Sequence, residues 1–136
     1  MSKQIFINLP VRDLSKATAF YTAIGANKNP QFSDDNGSCM VVSDTIFVML
    51  LTHAKWAMFT KKPIVDAHRD SEVMLALSAE SREAVDKITA AAGANGGKTD
   101  VNPKQDLGFM YGRSFEDVDG HIWECFYMDM SQIPKG

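Results

Sequence analysis

One glutamate near the C-terminal end is the residue whose position most suggests chemistry. Glu124 lies in the segment 114–124, which reads SFEDVDGHIWE. This segment predicts a strand, a tight acidic turn at Asp119-Gly120 and a second strand, because Asp-Gly pairs are typical of hairpin turns. Apolar residues surround Glu124 in the second strand, and burying an unpaired carboxylate costs free energy. Glu124 therefore needs a partner.

Three states of Glu124 are open from the residues alone. Arg113 lies in the neighbouring strand of the same hairpin, on one face with Tyr111 and Phe115, and a Glu–Arg pair would be bidentate. Alternatively, an apolar pocket would keep Glu124 protonated, so that it could act as an acid or a base. The third possibility is a structural hydrogen-bond network.

Histidine is the other residue type here that could do chemistry, and the chain has His53, His68 and His121. His121 and Glu124 form an H-x-x-E string, but positions i and i+3 of a strand point to opposite faces. We therefore expect His121 to be a surface residue near the turn. The spacing of His53 and His68 does not connect them to Glu124.

Composition excludes several classes of function. The chain has 136 residues, of which 45% are hydrophobic and 23% charged, and its formal net charge is -3. There is no basic cluster, so we expect no nucleic-acid partner, and no apolar run is long enough to cross a membrane. Cys39 and Cys125 are far apart and lack metal-site spacing, which predicts reduced thiols in a cytoplasmic protein.

The elements that must position Glu124 are arranged as a repeat. Residues 9–26, LPVRDLSKATAFYTAIGA, align without a gap on residues 77–94, LSAESREAVDKITAAAGA, at an offset of 68. The alignment brings together residues of equal role: Leu9 with Leu77, the helix caps Asp13 and Ser81, and the helix-ending glycines Gly25 and Gly93. Each copy predicts a strand, a helix and two further strands: 4–9, 39–43 and 45–51 in the first, and 72–78, 108–115 and 121–128 in the second.

The segment between the two copies, residues 53–70, carries the aromatic residues Trp56 and Phe59. It predicts a short helix with an apolar face. Such a segment serves either as a lid over a cavity or as a packed linker.

Two parts of the sequence carry a family resemblance. The segment 9–26, with its "FY…GA" ending, and the hairpin FEDVDGHIWE resemble the vicinal oxygen chelate superfamily, which includes glyoxalase I, extradiol dioxygenases, and fosfomycin and bleomycin resistance proteins. Val118 stands where the family hairpin usually has proline. The resemblance implies an α+β fold of two βαβββ modules that form a barrel-like cavity. It implies a single domain over 1–136, with modules at about 1–52 and 71–130 and a linker at 53–70, and a homodimer.

The resemblance also implies a divalent metal held by the first and last strands of each module. The matching positions are Phe6, Met49 (with Leu51 as the other choice on that face), Met74 and Glu124. Thioethers and phenyl rings are poor ligands for Mg, Mn, Ni or Zn, so only Glu124 is competent. Asn8, two residues from Phe6 on the same strand face, could add an amide oxygen. We therefore expect no cofactor, with a metal at Glu124 as the alternative.

These observations lead to two hypotheses about function. The first is a small organic molecule bound in the cavity, next to Glu124, Asn8 and Arg113 and against walls made by Phe6, Met49, Trp56, Phe59, Met74 and Tyr111. The second is a metal-dependent enzyme similar to lactoylglutathione lyase or an extradiol dioxygenase, with Glu124 as its metal ligand or catalytic base.

Overall fold

The computed structural model describes residues 2–132 of the chain. Met1 and residues 133–136, which the predicted domain includes, lie outside the described residues. In chain order the elements are β1 (Ile5–Val11), α1 (Leu14–Ala23), β2 (Asn27–Asp34), β3 (Gly37–Val41), β4 (Ile46–Thr52), α2 (His53–Trp56), β5 (Met74–Ser78), α3 (Arg82–Ala94), β6 (Lys98–Thr99), β7 (Gln105–Asp106), β8 (Met110–Glu116), β9 (Ile122–Met128) and the 3-10 turn Met130–Gln132. The chain divides after Asp66 into an N-terminal unit and a C-terminal unit, and this division falls inside the segment 53–70.

The N-terminal unit is a four-stranded sheet covered on one face by α1. The strand order is β1-β4-β3-β2, with β1 parallel to β4 and the other neighbours antiparallel. Asp13 caps the helix, because its carboxylate accepts a hydrogen bond from the Lys16 N–H at 3.1 Å. Phe20 and Tyr21 are fully buried against the sheet, and burying a large apolar side chain contributes roughly 1.5–3 kcal/mol.

The C-terminal unit repeats this topology. Its strand order is β5-β9-β8-β6, and β5 is parallel to β9 just as β1 is to β4. Ser81 caps α3 by accepting a hydrogen bond from the Ala84 N–H at 3.0 Å. The core between α3 and this sheet is formed by buried side chains from both elements: Val85, Thr89 and Ala92 of the helix, and Phe115, Trp123 and Cys125 of the sheet. The α+β fold of two repeated βαβββ modules predicted from the sequence is confirmed.

Two details of the sequence prediction are corrected. Gly93 does not end the second helix, which continues through Ala94. The residue with a left-handed backbone after the helix is Gly96, at φ +93°. The N–H of Gly97 then donates to the Ala92 carbonyl at 2.9 Å. The second strand of the first module, β2, was not predicted. Its sequence, NKNPQFSD, is polar and contains Pro30, so it lacks strand periodicity, and it forms at the edge of its sheet by backbone pairing with β3.

Within residues 2–132, no helix is both long enough and apolar enough to cross a membrane.

Candidate functional site

Glu124 lies on the sheet face opposite to the helix in the C-terminal unit. Strand β9 alternates, so that Trp123 and Cys125 are buried under α3 while Glu124, Phe126 and Met128 are half-buried on the other face. Glu124 pairs with Ala76 of β5 on one side and with Ser114 of β8 on the other. Directly opposite residues of a ladder share a face, so Ala76, Ser114 and Glu124 form one row.

Asn102 is the polar neighbour of Glu124. Its side-chain Nδ2 donates to Glu124 Oε1 at 3.4 Å and to the sulfur of Met74 at 3.6 Å. Its backbone is fixed by Ser114: the Asn102 N–H donates to Ser114 Oγ at 2.8 Å, and that hydroxyl donates to the Asn102 carbonyl at 3.2 Å. The buried serine therefore positions the amide, and the amide contacts the carboxylate.

These residues belong to a cavity of about 350 Å³ on that face. Its walls are mostly apolar, with Ala76, Met110, Phe126 and Met128 contributing from three strands. Its polar groups are few and include the Glu124 carboxylate, the Asn102 amide and the Gln105 amide. A cavity of this size with a small number of polar groups suits a small ligand.

The polar ends of Arg113 and Tyr111 bind aspartates and not Glu124. The guanidinium of Arg113 binds Asp100 through two hydrogen bonds, at 3.1 and 2.7 Å, and Asp86 of α3 at 3.0 Å. The Tyr111 hydroxyl donates to the same Asp86 carboxylate at 2.6 Å. Of the three states left open for Glu124, the pair with Arg113 is therefore wrong, and Tyr111 turns its hydroxyl toward the helix.

These hydrogen bonds shift the pKa values of the residues that form them. The hydrogen bond from Arg113 lowers the pKa of Asp100, and the hydrogen bond from Tyr111 is the largest cause that lowers the pKa of Asp86. Accepting that bond, Asp86 in turn raises the pKa of Tyr111.

The hairpin turn explains why the face of Arg113 was predicted incorrectly. The strands end at Glu116 and begin again at Ile122, so the connection is the five-residue loop 117–121 rather than a two-residue Asp119-Gly120 turn. Asp117, which is buried, organises this loop: its Oδ1 accepts from the N–H groups of Asp119 and His121, both at 2.9 Å. A two-residue turn would place Arg113 opposite Phe126. The observed register places it opposite Cys125, and a shift by one residue moves a side chain to the other face.

In the N-terminal unit, the predicted residues of β1 and β4 form a row of their own. Phe6 stacks on Phe47 with ring centroids 4.6 Å apart, and Asn8 pairs with Met49 across the ladder. Since Asn8 aligns with Ala76 at the offset of 68, Met49 has the register position in the first sheet that Glu124 has in the second. Between the two residues considered, Met49 and not Leu51 is thus the counterpart of Glu124.

The two aromatic residues of the segment 53–70 belong to a short helix and the turn after it. Thr52 caps this helix, α2, which contains His53 and ends at Trp56. Trp56 is half-buried, whereas Phe59 is 69% exposed and has the Lys55 ammonium 5.6 Å from its ring centroid. The predicted short helix is confirmed.

The donors next to Glu124 do not fit a hard divalent ion. Asn102 directs its NH₂ group, which is not a metal ligand, at the carboxylate, and Met74 offers a soft thioether. Within residues 2–132 no cluster of three or more His, Cys, Asp or Glu side chains is arranged to hold a metal. No catalytic step through a metal is therefore derived for this chain.

Sequence reasoning missed Asn102, Ser114, Phe126 and the two cavity methionines, Met110 and Met128. The strand residues follow from alternation once the hairpin register is known, because they share the face of Glu124. Asn102 had one weak signal: it precedes Pro103, and Asn-Pro pairs favour turns. The hydrogen bonds that bring it to Glu124 follow from the loop backbone, which the sequence pattern does not give.

Known proteins resemble this chain in sequence pattern and in fold. Residues 3–125 match the family model described as Glyoxalase/Bleomycin resistance protein/Dioxygenase superfamily. A hypothetical protein of S. aureus, SA1046, is 26% identical with a TM-score of 0.76, over 93% of this chain and 95% of that one. A glyoxalase/bleomycin resistance protein/dioxygenase family enzyme from Burkholderia phytofirmans PsJN is 16% identical with a TM-score of 0.74, over 93% and 99%.

A fosfomycin resistance protein, FosX from Mesorhizobium loti, also has a similar fold, with 15% identity and a TM-score of 0.69 over 97% of each chain. No curated protein matches the sequence significantly. The family match covers nearly the whole chain, and the structural neighbours share its topology. The chain belongs to the glyoxalase/bleomycin resistance protein/dioxygenase superfamily.

Proposed function

We propose that this protein binds a small organic molecule in the cavity of its C-terminal unit, with Glu124 as the polar anchor. The observation that carries the proposal is the half-buried carboxylate in a largely apolar cavity of about 350 Å³. A carboxylate in such a place is expensive unless a partner compensates it. The Asn102 contact, at 3.4 Å, is a weak hydrogen bond and compensates little.

The donor chemistry favours binding over metal-dependent lyase or dioxygenase activity. The four positions that the family resemblance implies for a metal hold Phe6, Met49, Met74 and Glu124, which together supply one hard ligand. A binding protein needs only a cavity and a polar group within it, and the cavity beside Glu124 supports that function. Mass spectrometry of any bound compound after prolonged incubation separates the two functions, since an enzyme would convert it and a binding protein would return it unchanged.

The binding proposal is tested by filling the cavity. Gly112 lines the cavity, and a Cβ at this position would meet its nearest neighbour, the Phe126 Cβ, at 3.5 Å, which is an ordinary contact. Gly112→Ala is therefore a tolerated control, while Gly112→Leu places a branched side chain in the ligand space. A fragment library is screened by ligand-observed NMR against all three proteins.

We expect fragments that bind the wild type and Gly112→Ala but not Gly112→Leu, at unchanged thermal stability of the Ala variant. Fragments that bind all three proteins equally would place binding outside this cavity and overturn the proposal. A screen in which no fragment binds the wild type would also count against it.

We further propose that the protein is a homodimer, and its exposed strand edges support this. β1 and β5 are each the first strand of their sheet order, so one side of each is unpaired within its own sheet. Apolar residues of these two strands are exposed to solvent: Ile5 is 55% exposed, Phe6 52% and Met74 57%. Unprotected apolar edges favour association.

Sedimentation equilibrium tests the dimer. We expect a dimer for the wild type and for Met58→Lys, whose side chain is exposed but lies outside the strands. Phe6→Lys should shift the equilibrium toward monomer. A monomeric wild type at micromolar concentration would rule out a stable homodimer.

A further inference from the structure

The partner that Glu124 lacks is a positive charge. Glu124 is not a member of any ion pair described within residues 2–132, such as Arg82–Asp106 or Arg113–Asp100. Arg113 also contributes to the cavity wall, but two aspartates outside the cavity bind its guanidinium. The carboxylate therefore faces the cavity with its charge uncompensated by any described cationic side chain.

The hydrogen bond from Asn102 leaves the carboxylate able to accept a ligand. The amide donates to Oε1 alone, and within residues 2–132 no described hydrogen bond reaches Oε2. Ser114 fixes the Asn102 backbone through both its N–H and its carbonyl, which keeps the amide on the Oε1 side of the carboxylate. Oε2 is thus the acceptor that a bound molecule would meet.

The walls next to Glu124 suit the body of an organic cation. Phe126 presents an aromatic ring, and Met110 and Met128, which pair directly across the ladder, present polarizable thioethers. Aromatic faces and soft sulfur groups attract cationic and flat molecules more than saturated, strongly hydrated ones. The apolar surroundings also strengthen the attraction between a carboxylate and a cation, because they lower the local dielectric constant.

Ligands of other charge are disfavoured by the same geometry. An anion would meet the Glu124 carboxylate as a like charge, in a protein whose formal net charge is already -3. A neutral ligand would displace water from the carboxylate and leave its charge unpaired, which costs free energy.

We infer that the cavity selects a small organic cation, an amine or amidinium carried on a compact or flat apolar body, and that Glu124 is its specificity-determining residue. This inference rests on the proposed binding function. It adds the charge of the ligand and names Oε2 of Glu124 as the atom that accepts its hydrogen bond.

Three probes of nearly equal shape test the charge preference: benzamidine, which is cationic at pH 7, neutral benzamide and anionic benzoate. Their binding to the wild type is measured by NMR titration at low and at moderate salt. We expect benzamidine to bind about tenfold or more tightly than benzamide, the size of effect that a charge-assisted hydrogen bond provides. Benzoate should bind least, and added salt should weaken benzamidine alone.

Two variants assign the preference to Glu124. Glu124→Gln keeps the shape and removes the charge, so the preference for benzamidine over benzamide should vanish. Glu124→Asp keeps the charge on a shorter side chain, so affinity should fall while the preference is retained. The ranking of the three probes on the wild type needs no variant, so it holds as a test even if a substitution impairs folding.

Failure of this inference is distinguishable from failure of the binding function. If benzamide or benzoate binds as tightly as benzamidine, and Gly112→Leu abolishes that binding, the charge preference is overturned. The cavity then remains a binding site. A preference for benzamidine that survives in Glu124→Gln would overturn the role of Glu124. No binding of any probe or library fragment would overturn both proposals.

Discussion

Arg113 holds Asp100 in a backbone conformation that few residues adopt. The Nε and Nη2 atoms of Arg113 donate to the two carboxylate oxygens of Asp100 at 3.1 and 2.7 Å. Asp100 has φ +53° and is the single non-glycine residue with positive φ among residues 2–132. Such conformations persist where surrounding contacts enforce them. Since Asn102 lies two residues further on, this pair helps to set the loop that supplies the amide at Glu124.

The first prediction concerns this bidentate pair. Arg113→Lys keeps the positive charge but replaces two directed hydrogen bonds by one point charge. The Arg113 side chain is only 16% exposed and that of Asp100 30%, so the lost hydrogen bonds are poorly replaced by water. We expect the free energy of unfolding to fall by about 1–3 kcal/mol, measured by urea denaturation.

A matched control is available in the same unit. Arg69 pairs with its neighbour Asp70, and their side chains are 79% and 58% exposed. Exposed pairs contribute little, so Arg69→Lys should leave the urea midpoint nearly unchanged. An equal loss in the two variants would mean that the Arg113 geometry has no special stabilising role.

The second prediction is an acid-sensitive contribution from Asp106. Arg82 donates to both oxygens of Asp106, at 3.0 and 2.9 Å, and these bonds lower its pKa from 3.8 to about 2. A carboxylate whose pKa is lower in the folded state stabilises the fold above its unfolded pKa. That contribution is fully present above about pH 4 and is lost as the pH falls through 2.

Urea midpoints of the wild type and Asp106→Asn, compared at pH 7, 4, 3 and 2, measure this contribution. The wild type should be the more stable protein at pH 7, and the difference should shrink between pH 4 and 2. A difference that stays constant over this range would show that Asp106 does not titrate with the predicted shift.

Local signals predicted the parts of the fold that depend on neighbouring residues. Asp13 and Ser81 were predicted as helix caps, and both accept the expected backbone hydrogen bond. The offset of 68 between the modules predicted that they share a topology, and their strand orders agree.

Long-range register is the part that the sequence did not reveal. The face of Arg113 depends on whether the hairpin connection has two or five residues, and the buried Asp117 side chain decides this by bonding two N–H groups of the loop. Asn102 reaches Glu124 only because Ser114 fixes its backbone and Asp100 turns the chain with φ +53°. The contacts of Asn102 with Ser114 and Glu124 join residues 12 and 22 positions apart, and the loop conformations around Asp117 and Asp100 are set by individual side-chain bonds and one backbone angle, so composition and periodicity do not report them.

The third prediction concerns the thiol next to Glu124 in sequence. Cys125 is 2% exposed, and its burial raises the pKa of the thiol from 9.0 to about 11. The native protein should therefore react very slowly with a thiol reagent at pH 8, and quickly once it is unfolded in urea.

Because Cys39 is also buried, the rates are measured in Cys39→Ala, which leaves Cys125 as the single thiol. The raised pKa also makes the folded state favour the neutral thiol. Its contribution to stability is present below about pH 9 and is lost as the pH rises toward 11. Rapid labelling of the native variant would contradict the buried position of Cys125.

The last prediction concerns the glycine of the hairpin loop. Gly120 has φ +91°, and a Cβ added there would lie 2.6 Å from the backbone nitrogen of His68 and 2.7 Å from the Ala67 carbonyl carbon. These are backbone atoms and cannot move away by changing a rotamer. Gly120→Ala must therefore displace the segment around His68 or distort the loop that Asp117 organises.

Gly108→Ala is the matched control, because Gly108 has a similar φ of +81° but nothing within 4 Å of an added Cβ. Both variants incur the strain of alanine in the left-handed region, about 1 kcal/mol. Gly120→Ala should lose at least about 1 kcal/mol more in urea denaturation, the usual minimum for overpacking a closed site. Equal losses would mean that the loop 117–121 yields freely, and that the close approach of His68 does not constrain the hairpin that carries Glu124.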